Sequence, residues 1–356
     1  MNERFPFLRV EGTHYEMGYQ IGKNLKRLIK RFNELIVGEL TLEEVKKRAA
    51  AFLPSFKRHC PHLLEEIKGV ADGAEISLEE ALLPNVRGGI HRIRACTAYV
   101  ISGEATADDH ALIGQNQDLP RSMQEFGVIL NLIPETGPQI LMWTFAGLIG
   151  YQGLNEYGVA FFANSLPEPP LTAKIPPDKI RPGYMVKRLM LEQNSIDGVL
   201  KLLDKMNVYE AAFGQSNYVL RDECKIVDVE LYSGGYEVLE DDGRGYIAHS
   251  NHYVSKNLKN LNLYVQDILG VPAEFDSIPR LKRLNELLER VKGEITVDAL
   301  KEILSDHHNY PRSICRHTDR DYVTIASIIA EPERRRMHIC PGNPCRGRYY
   351  TYEMEG

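Results

Sequence analysis

The residues best suited to chemistry in this sequence gather around Cys96. Ala95, a small residue, precedes it, the strand-like run Thr97-Ala98-Tyr99-Val100 follows, and Asn116 and Asp118 come shortly after. Other polar groups recur at strand ends and turns: Asn155, Asn164, Ser216-Asn217-Tyr218, His249-Ser250-Asn251-His252, Asp306-His307-His308 and Ile314-Cys315-Arg316-His317. Acyl transfer needs a nucleophile, a base, and donors for the developing oxyanion. A thiol serves as the first, and asparagine amides serve as neutral donors. An arginine beside an aspartate fixes a polar site without adding a reactive proton. No histidine stands out as a base for Cys96. A cut at Ala95–Cys96 would supply one, because the new α-amino group has a reference pKa of about 7.7–8.0 against about 8.5 for the thiol. The alternative reading of Cys96 is a buried core thiol.

Composition sets the limits. The chain has 356 residues, 43% hydrophobic and 26% charged, with a net charge of −6. That length buries a large core. The slight acidity argues against a nucleic-acid partner, which would call for a basic excess. No apolar run reaches the ~20 residues of a membrane span, and Met1-Asn2-Glu3-Arg4-Phe5-Pro6 does not read as a signal peptide. Six cysteines in such a length are too few for a disulfide framework, so the expectation is a cytoplasmic protein with mostly free thiols. Cys340 to Cys345 lacks the spacing of a zinc knuckle and reads as a turn. Gly-x-Ser-x-Gly, His-Glu-x-x-His and Gly-x-Gly-x-x-Gly are missing, and no cofactor or metal is expected.

The elements that must position these groups change character at Cys96. Before it the chain reads as helical. Thr13 and Glu16 form a capping box ahead of an apolar stripe of Met17, Ile21, Leu25, Leu28, Phe32 and Leu35. Thr41 and Ser77 repeat that start signal, and Gly18 and Gly22 permit close approach of another backbone. After it, short runs rich in Val, Ile, Tyr and Phe (97–102, 111–116, 127–133, 139–146, 158–164) read as one antiparallel meander. Residues 165–180 are a proline-rich surface loop. Two helices follow (183–193, 196–206), then strands (216–221, 226–231, 236–239, 245–249), helices over 277–292 and from 297 to 304, and closing strands near 322–330, 335–340 and 348–352. Strands and helices in blocks give an α+β class. Trp143 reads as core, and residues 331–336 as a hairpin turn with solvated charges.

With these stretches in order, the chain resembles the penicillin acyltransferase family, the acyl-coenzyme A:6-aminopenicillanic acid acyltransferase-like N-terminal-nucleophile hydrolases. The matching stretches are GTHYEMGYQIG at 12–22, CTAY at 96–99, GQNQD at 114–118, NEYG at 155–158 with Asn164, SNY at 216–218, HSNH at 249–252 and SICRH at 313–317. The resemblance implies a four-layer αββα sandwich and a precursor that cuts itself before its cysteine. The 1–95 segment would then be a small helical subunit that stays with the 96–356 catalytic part. It implies Cys96 as nucleophile, Asp118 and Arg316 as the pair that orients it and its amino group, Asn251 as an oxyanion donor, and Asn164 as a second. Ala95 stands where glycine is usual in the fungal enzymes. Gln115 stands where bile-salt hydrolases carry an arginine. The implied reaction runs on an amide or acyl thioester of a small acylated substrate, acyl-coenzyme A among the candidates, and a homo-oligomer is compatible with it.

Rival readings are a zinc metallohydrolase built on His249, His252, Asp306, His307 and His308, and a conventional Cys–His hydrolase pairing Cys96 or Cys315 with His317 or His252. The third is a non-enzymatic small-molecule binding protein whose Cys96 is plain core.

Overall fold

Thr13 starts the first helix as its sequence requires. Its hydroxyl accepts the Glu16 N–H at 3.2 Å, and the Glu16 carboxylate accepts the Thr13 N–H at 2.8 Å. The helix, α1 (His14–Val37), buries Met17, Ile21, Leu25, Ile29, Phe32 and Ile36 on one face. The computed structural model describes residues 3–38, 41–86, 95–167, 181–207, 216–317 and 322–354. Helices α2 (Leu42–Ala50) and α5 (Leu78–Val86) begin after Thr41 and Ser77 as expected, and α3 (Leu53–His59) and α4 (Pro61–Ala74) fill the space between. Helices α1 and α4 cross at backbone contact. A Cβ on Gly18 or Gly22 would strike the Glu66 or Val70 carbonyl, and one on Gly69 or Gly73 the Tyr15 or Tyr19 carbonyl.

The N-terminal segment is not wholly helical. Strand β1 (Phe7–Gly12) pairs in parallel with β4 (Gly127–Pro134), with Phe7 opposite Ile129 and Gly12 opposite Pro134. The expected single meander after Cys96 also divides. Strands β2 (Ala95–Ile101) and β3 (Leu112–Pro120) belong to a six-stranded sheet. After a 3-10 stretch over Arg121–Phe126 the chain crosses to an eight-stranded one. There β4, β5 (Ile140–Phe145), β6 (Gln152–Asn155), β7 (Ala160–Ser165), β8 (Ser216–Arg221), β9 (Ile226–Tyr232) and β10 (Gly235–Glu240) follow one another in order. The six-stranded sheet runs β11-β2-β3-β12-β13-β14, completed by β11 (Tyr246–His249), β12 (Tyr322–Glu331), β13 (Arg336–Pro341) and β14 (Tyr350–Glu353).

The strand period of two distributes side chains between layers. Ala98, Val100 and Ile113 point between the sheets, where they meet Ile129, Leu141, Trp143, Phe145 and Phe162 in one core. Tyr99, Ile101 and Leu112 point the other way, into α9 (Ser277–Arg290) and α10 (Val297–Leu304) through Leu284, Leu288, Leu300 and Ile303. The eight-stranded sheet is covered on its outer face by α1, α4, α6 (Gly183–Leu191) and α7 (Ile196–Met206). Helix, sheet, sheet, helix make the expected four layers, and Trp143 is fully buried core. A short helix, α8 (Val265–Leu269), packs against Ala95. Among the described residues no helix is long and apolar enough to cross a membrane. The 331–336 hairpin turn is present, but Glu331 is buried and not solvated, because Arg334, Arg336 and His338 close around its carboxylate. Residues 168–180 of the proline-rich loop lie outside the described residues.

Candidate active site

Residue Cys96 enters the six-stranded sheet as the second residue of β2, opposite Gln117, while Ala95 lies opposite Asp118 on β3. The alternation of β3 sends Gln115 and Gln117 between the sheets and Asn116 and Asp118 toward the helical layer. The Cys96 thiol shares the inter-sheet face with Gln117, whose Nε2 donates to Sγ at 3.2 Å. Gln117 Oε1 accepts from Gln115 Nε2 at 2.6 Å and from Gln152 Nε2 at 3.1 Å. Gln115, where an arginine would stand in a bile-salt hydrolase, is thus used to tie the two sheets, and it accepts the Ala163 N–H at 3.2 Å. Burial pushes the Cys96 thiol up to about 12, with the Asp118 charge adding to the effect.

Both backbone groups of Cys96 are held by side chains. Its N–H donates to Asn251 Oδ1 at 2.9 Å, and its carbonyl accepts from Arg280 Nη1 at 2.6 Å. Arg280 also donates to Thr97 Oγ1 at 2.7 Å, Asn251 Oδ1 at 2.8 Å and Asp276 Oδ1 at 2.8 Å. Asn251 Nδ2 donates to the Ser165 carbonyl at 2.9 Å. With two N–H donors on one side and a carbonyl on the other, the amide can point only one way. Asp276 binds Arg316 through its second oxygen. Arg316 Nε meets Asp118 at 3.3 Å, and Thr324 donates to Asp118 at 2.7 Å. Two buried acids and two buried arginines therefore run as a balanced chain from Asp118 to the Cys96 backbone. Such an array costs desolvation and persists only when its partners are complete. Burial lifts Asp118 to about 6, although Arg316 and Arg280 pull it back down. Burial acts on Asp276 too, but Arg280 and Arg316 hold it below the usual carboxylate range.

The structure thus brings Cys96, Asp118, Asn251 and Arg316 together. Asn164, the fifth expected residue, is the penultimate residue of β7, next to Ser165, which accepts from Asn251. Its side chain is 1% exposed, and neither its Nδ2 nor its Oδ1 has a partner among the described residues. Buried amides are ordinarily bonded, so this one is open to a ligand. Behind it, Asn217 accepts the Asn164 N–H at 3.2 Å and donates to Asp228 at 2.7 Å.

Sequence reading missed Arg280, Asp276, Gln117 and Thr324. A signal existed for the first two. Ser277, Arg280, Leu284 and Leu288 are the buried stripe of α9, so a charge stands at an apolar position with an acid four residues before it. The remaining polar clusters serve structure. Asn155 binds the carbonyls of Leu191 and Gln193 at 2.8 Å and 2.7 Å, and Asn116 binds those of Leu304 and Ile314, each at 2.9 Å.

The histidines do not form the metallohydrolase cluster. His249 is bonded to Glu230 at 2.7 Å and to the Ser250 carbonyl at 2.8 Å, and His252 to Ser277 at 2.7 Å. Asp306 is paired with Arg283, and His308 donates its backbone N–H to Asp306. His307 lies instead beside His317, their Nε2 atoms 3.0 Å apart. For the Cys–His reading, Cys315 Sγ lies 3.7 Å from His317 Nε2, but no histidine contact to Cys96 occurs among the described residues.

The sequence is 28% identical over 352 residues to the acyl-coenzyme A:6-aminopenicillanic-acid-acyltransferase 40 kDa form of Emericella nidulans, covering 94% of this chain and 92% of that protein. It is 24% identical over 235 residues to the beta-alanyl-dopamine/carcinine hydrolase of Drosophila melanogaster, covering 57% of this chain and 58% of that one. Among solved structures, penicillin V acylase from Agrobacterium tumefaciens aligns at 13% identity with a TM-score of 0.47, over 73% of this chain and 86% of that chain. The acyl-coenzyme A:6-aminopenicillanic acid acyl-transferase family pattern matches residues 105–346, a span that holds Asp118, Asn164, Asn251 and Arg316 and begins just after Cys96. The chain belongs to the acyl-coenzyme A:6-aminopenicillanic acid acyl-transferase family.

Proposed function

We propose that this protein is a self-processing N-terminal-cysteine amidohydrolase or acyltransferase that works through an acyl-enzyme on Cys96. The observation that carries the reading is the way residue 96 is held: N–H on Asn251, carbonyl on Arg280, both inside a buried chain of four charges that a merely structural cysteine would not require. In the precursor the Cys96 sulfur attacks the Ala95 carbonyl carbon. The C–N bond breaks as the S–C bond forms, and the thiol proton moves to the departing nitrogen. Water then splits the thioester, leaving an Ala95 carboxylate on residues 1–95 and a free thiol and amine on residues 96–356. Asn251 Oδ1, already on the Cys96 nitrogen, holds the new amino group in place. Asp118 and Arg316 fix the segment around it. That amine takes the thiol proton when Cys96 attacks a substrate carbonyl, since its pKa and the working pH are close.

Asn164 supplies the first oxyanion donor, because its side-chain amide has no partner among the described residues, and Asn251 Nδ2 supplies the second once it leaves Ser165. The acyl group passes from Cys96 to water or to an amine. The substrate class is a small acylated amide or acyl thioester, in keeping with one relative named as an acyl-coenzyme A:6-aminopenicillanic-acid-acyltransferase and another as a beta-alanyl-dopamine/carcinine hydrolase. A cytoplasmic location is part of the proposal and rests on the sparse, unpaired cysteines. Denaturing mass spectrometry of the purified protein is the test. Two masses divided at Ala95–Cys96 are expected, with Cys96→Ala remaining full length and inactive. A full-length wild type with activity unchanged in Cys96→Ala would refute the mechanism.

A further inference from the structure

A second group of reactive side chains lies beyond Arg316. His307, Cys315, His317 and Cys345 each offer one ligand atom, and the four atoms lie within 4.8 Å of one another. They come from the loop after α10, the segment that carries Arg316, and the turn between β13 and β14. Cys315 is fully buried, His317 and Cys345 are half-buried, and His307 is at the surface. His317 Nε2 lies 3.0 Å from His307 Nε2, 3.7 Å from Cys315 Sγ and 3.5 Å from Cys345 Sγ. One ring nitrogen has a single proton or a single lone pair, so hydrogen bonding cannot account for three such neighbours at once. A cation at their centre does. Tetrahedral zinc with Zn–S near 2.3 Å and Zn–N near 2.0–2.1 Å places its nitrogens about 3.3 Å apart and its sulfur–nitrogen pairs about 3.6 Å apart.

From this geometry we infer that His307, Cys315, His317 and Cys345 form a structural zinc site. Two thiolates and two imidazoles are the donor set that zinc takes over harder cations, and four protein ligands leave no open position for chemistry. The spacing hid the site, because only Cys315 and His317 are near in sequence, and Cys345 reads as half of a turn. Its outer contacts suit the role. Asn343 Nδ2 donates to the Arg316 carbonyl at 2.6 Å and reaches Cys315 Sγ at 3.5 Å, and the Cys315 N–H donates to the Asp306 carbonyl at 3.0 Å. The metal pins the Arg316 segment to the β13–β14 turn. This site stands whether or not Cys96 is the nucleophile.

Metal analysis of full-length protein, purified without added metal or a metal-affinity tag, decides the matter. Expected is about one zinc per chain, lowered about tenfold in Cys315→Ser and in Cys345→Ser and unchanged in Cys340→Ser. Should the cysteine variants fail to fold, the wild type still answers. Titration with an organomercurial should release zinc in step with two thiols, and exchange with Co(II) should give the thiolate-to-cobalt and intense ligand-field bands of a tetrahedral sulfur-ligated ion. Wild type with almost no zinc and no such Co(II) spectrum overturns the inference. So does a Cys315–Cys345 disulfide as the main form on peptide mapping, or zinc retained at full occupancy in both serine variants.

Discussion

Arg280 shows how one side chain can organise a site. Its guanidinium has five N–H donors and touches four acceptors: Asp276, the Cys96 carbonyl, Thr97 and Asn251. A lysine keeps the charge but not the planar fork, so it cannot reach all four. Replacement by methionine leaves Asp276 with only Arg316 in a buried setting. Removal of one partner from a buried ion pair costs about 3–5 kcal/mol. Urea unfolding should therefore show Arg280→Met less stable by that amount, and Arg280→Lys should slow the appearance of the two cleaved masses even where it folds. A stable Arg280→Met variant that processes at the wild-type rate would remove Arg280 from this role. Asn164 makes a contrasting case. Its side-chain amide has no partner among the described residues, so Asn164→Ala should leave stability nearly unchanged. Loss of one oxyanion donor lowers turnover by about 10²–10³. Steady-state kinetics should show that loss in kcat with KM little altered, and an unchanged kcat would assign the oxyanion to other donors.

At the scale of elements, the segment that presents Asn251 is held by a buried ionic cluster from the other sheet. His249 lies between Glu230 at 2.7 Å and Asp228 at 3.5 Å, both on β9. Both ring nitrogens face acceptors, so the ring is an imidazolium. Burial works against that charge, but Asp228 and Glu230 outweigh it and raise His249 to about 9. A histidine raised in the folded state adds stability that is complete below its unfolded value of about 6.5 and is lost as pH climbs toward 9. The difference corresponds to about 3 kcal/mol. Urea midpoints of the wild type should fall between about pH 6.5 and 9, while His249→Gln, less stable at the lower end, should be nearly flat over that range. Parallel curves for the two proteins would refute the imidazolium. This brace was hard to read in the sequence. Asp228 and Glu230 alternate with Val227, Val229 and Leu231, a pattern that ordinarily marks a solvated strand face, whereas here both faces are buried. The capping boxes at Thr13 and Thr41 were legible because their partners are local. Helices α3 and α4 lack any side-chain cap and gave no such start signal. The site followed the same division. Cys96, Asp118, Asn251 and Arg316 stand in short, distinctive stretches, but Arg280 acts on Cys96 across 184 positions of sequence, and the four zinc ligands meet only in the fold.

At the scale of the whole molecule, the question is what a cut at Ala95–Cys96 would release. The bond lies at the start of β2, whose neighbours β11 and β3 both belong to the part that follows the cut. The part that precedes it is bound elsewhere. Strand β1 contributes a six-residue parallel ladder to β4 at the edge of the eight-stranded sheet. Helices α1 and α4 cover that sheet's outer face with Met17, Ile21, Leu25, Ile29, Leu63, Leu64, Ile67 and Val70, all buried. Part of that burial is between α1 and α4 themselves, and the part made against the sheet, at up to about 1.5–3 kcal/mol for each side chain, favours keeping the fragments together. Against the cost of association, about 4–15 kcal/mol, the β1–β4 hydrogen bonds and the His14–Glu66–Arg188 contact between α1, α4 and α6 act in the same direction as that burial. Glu66 is fully buried and accepts from Arg188, so separation would also strand a charge. The cleaved protein should thus elute as one species on native size-exclusion chromatography and yield residues 1–95 and 96–356 only after denaturant is added. Dilution without denaturant should not separate them, because the N-terminal helices and the outer apolar face of the eight-stranded sheet bury each other. Spontaneous loss of the 1–95 fragment, with activity retained by the remainder, would show that these helices serve only to deliver the precursor and are not part of the working enzyme.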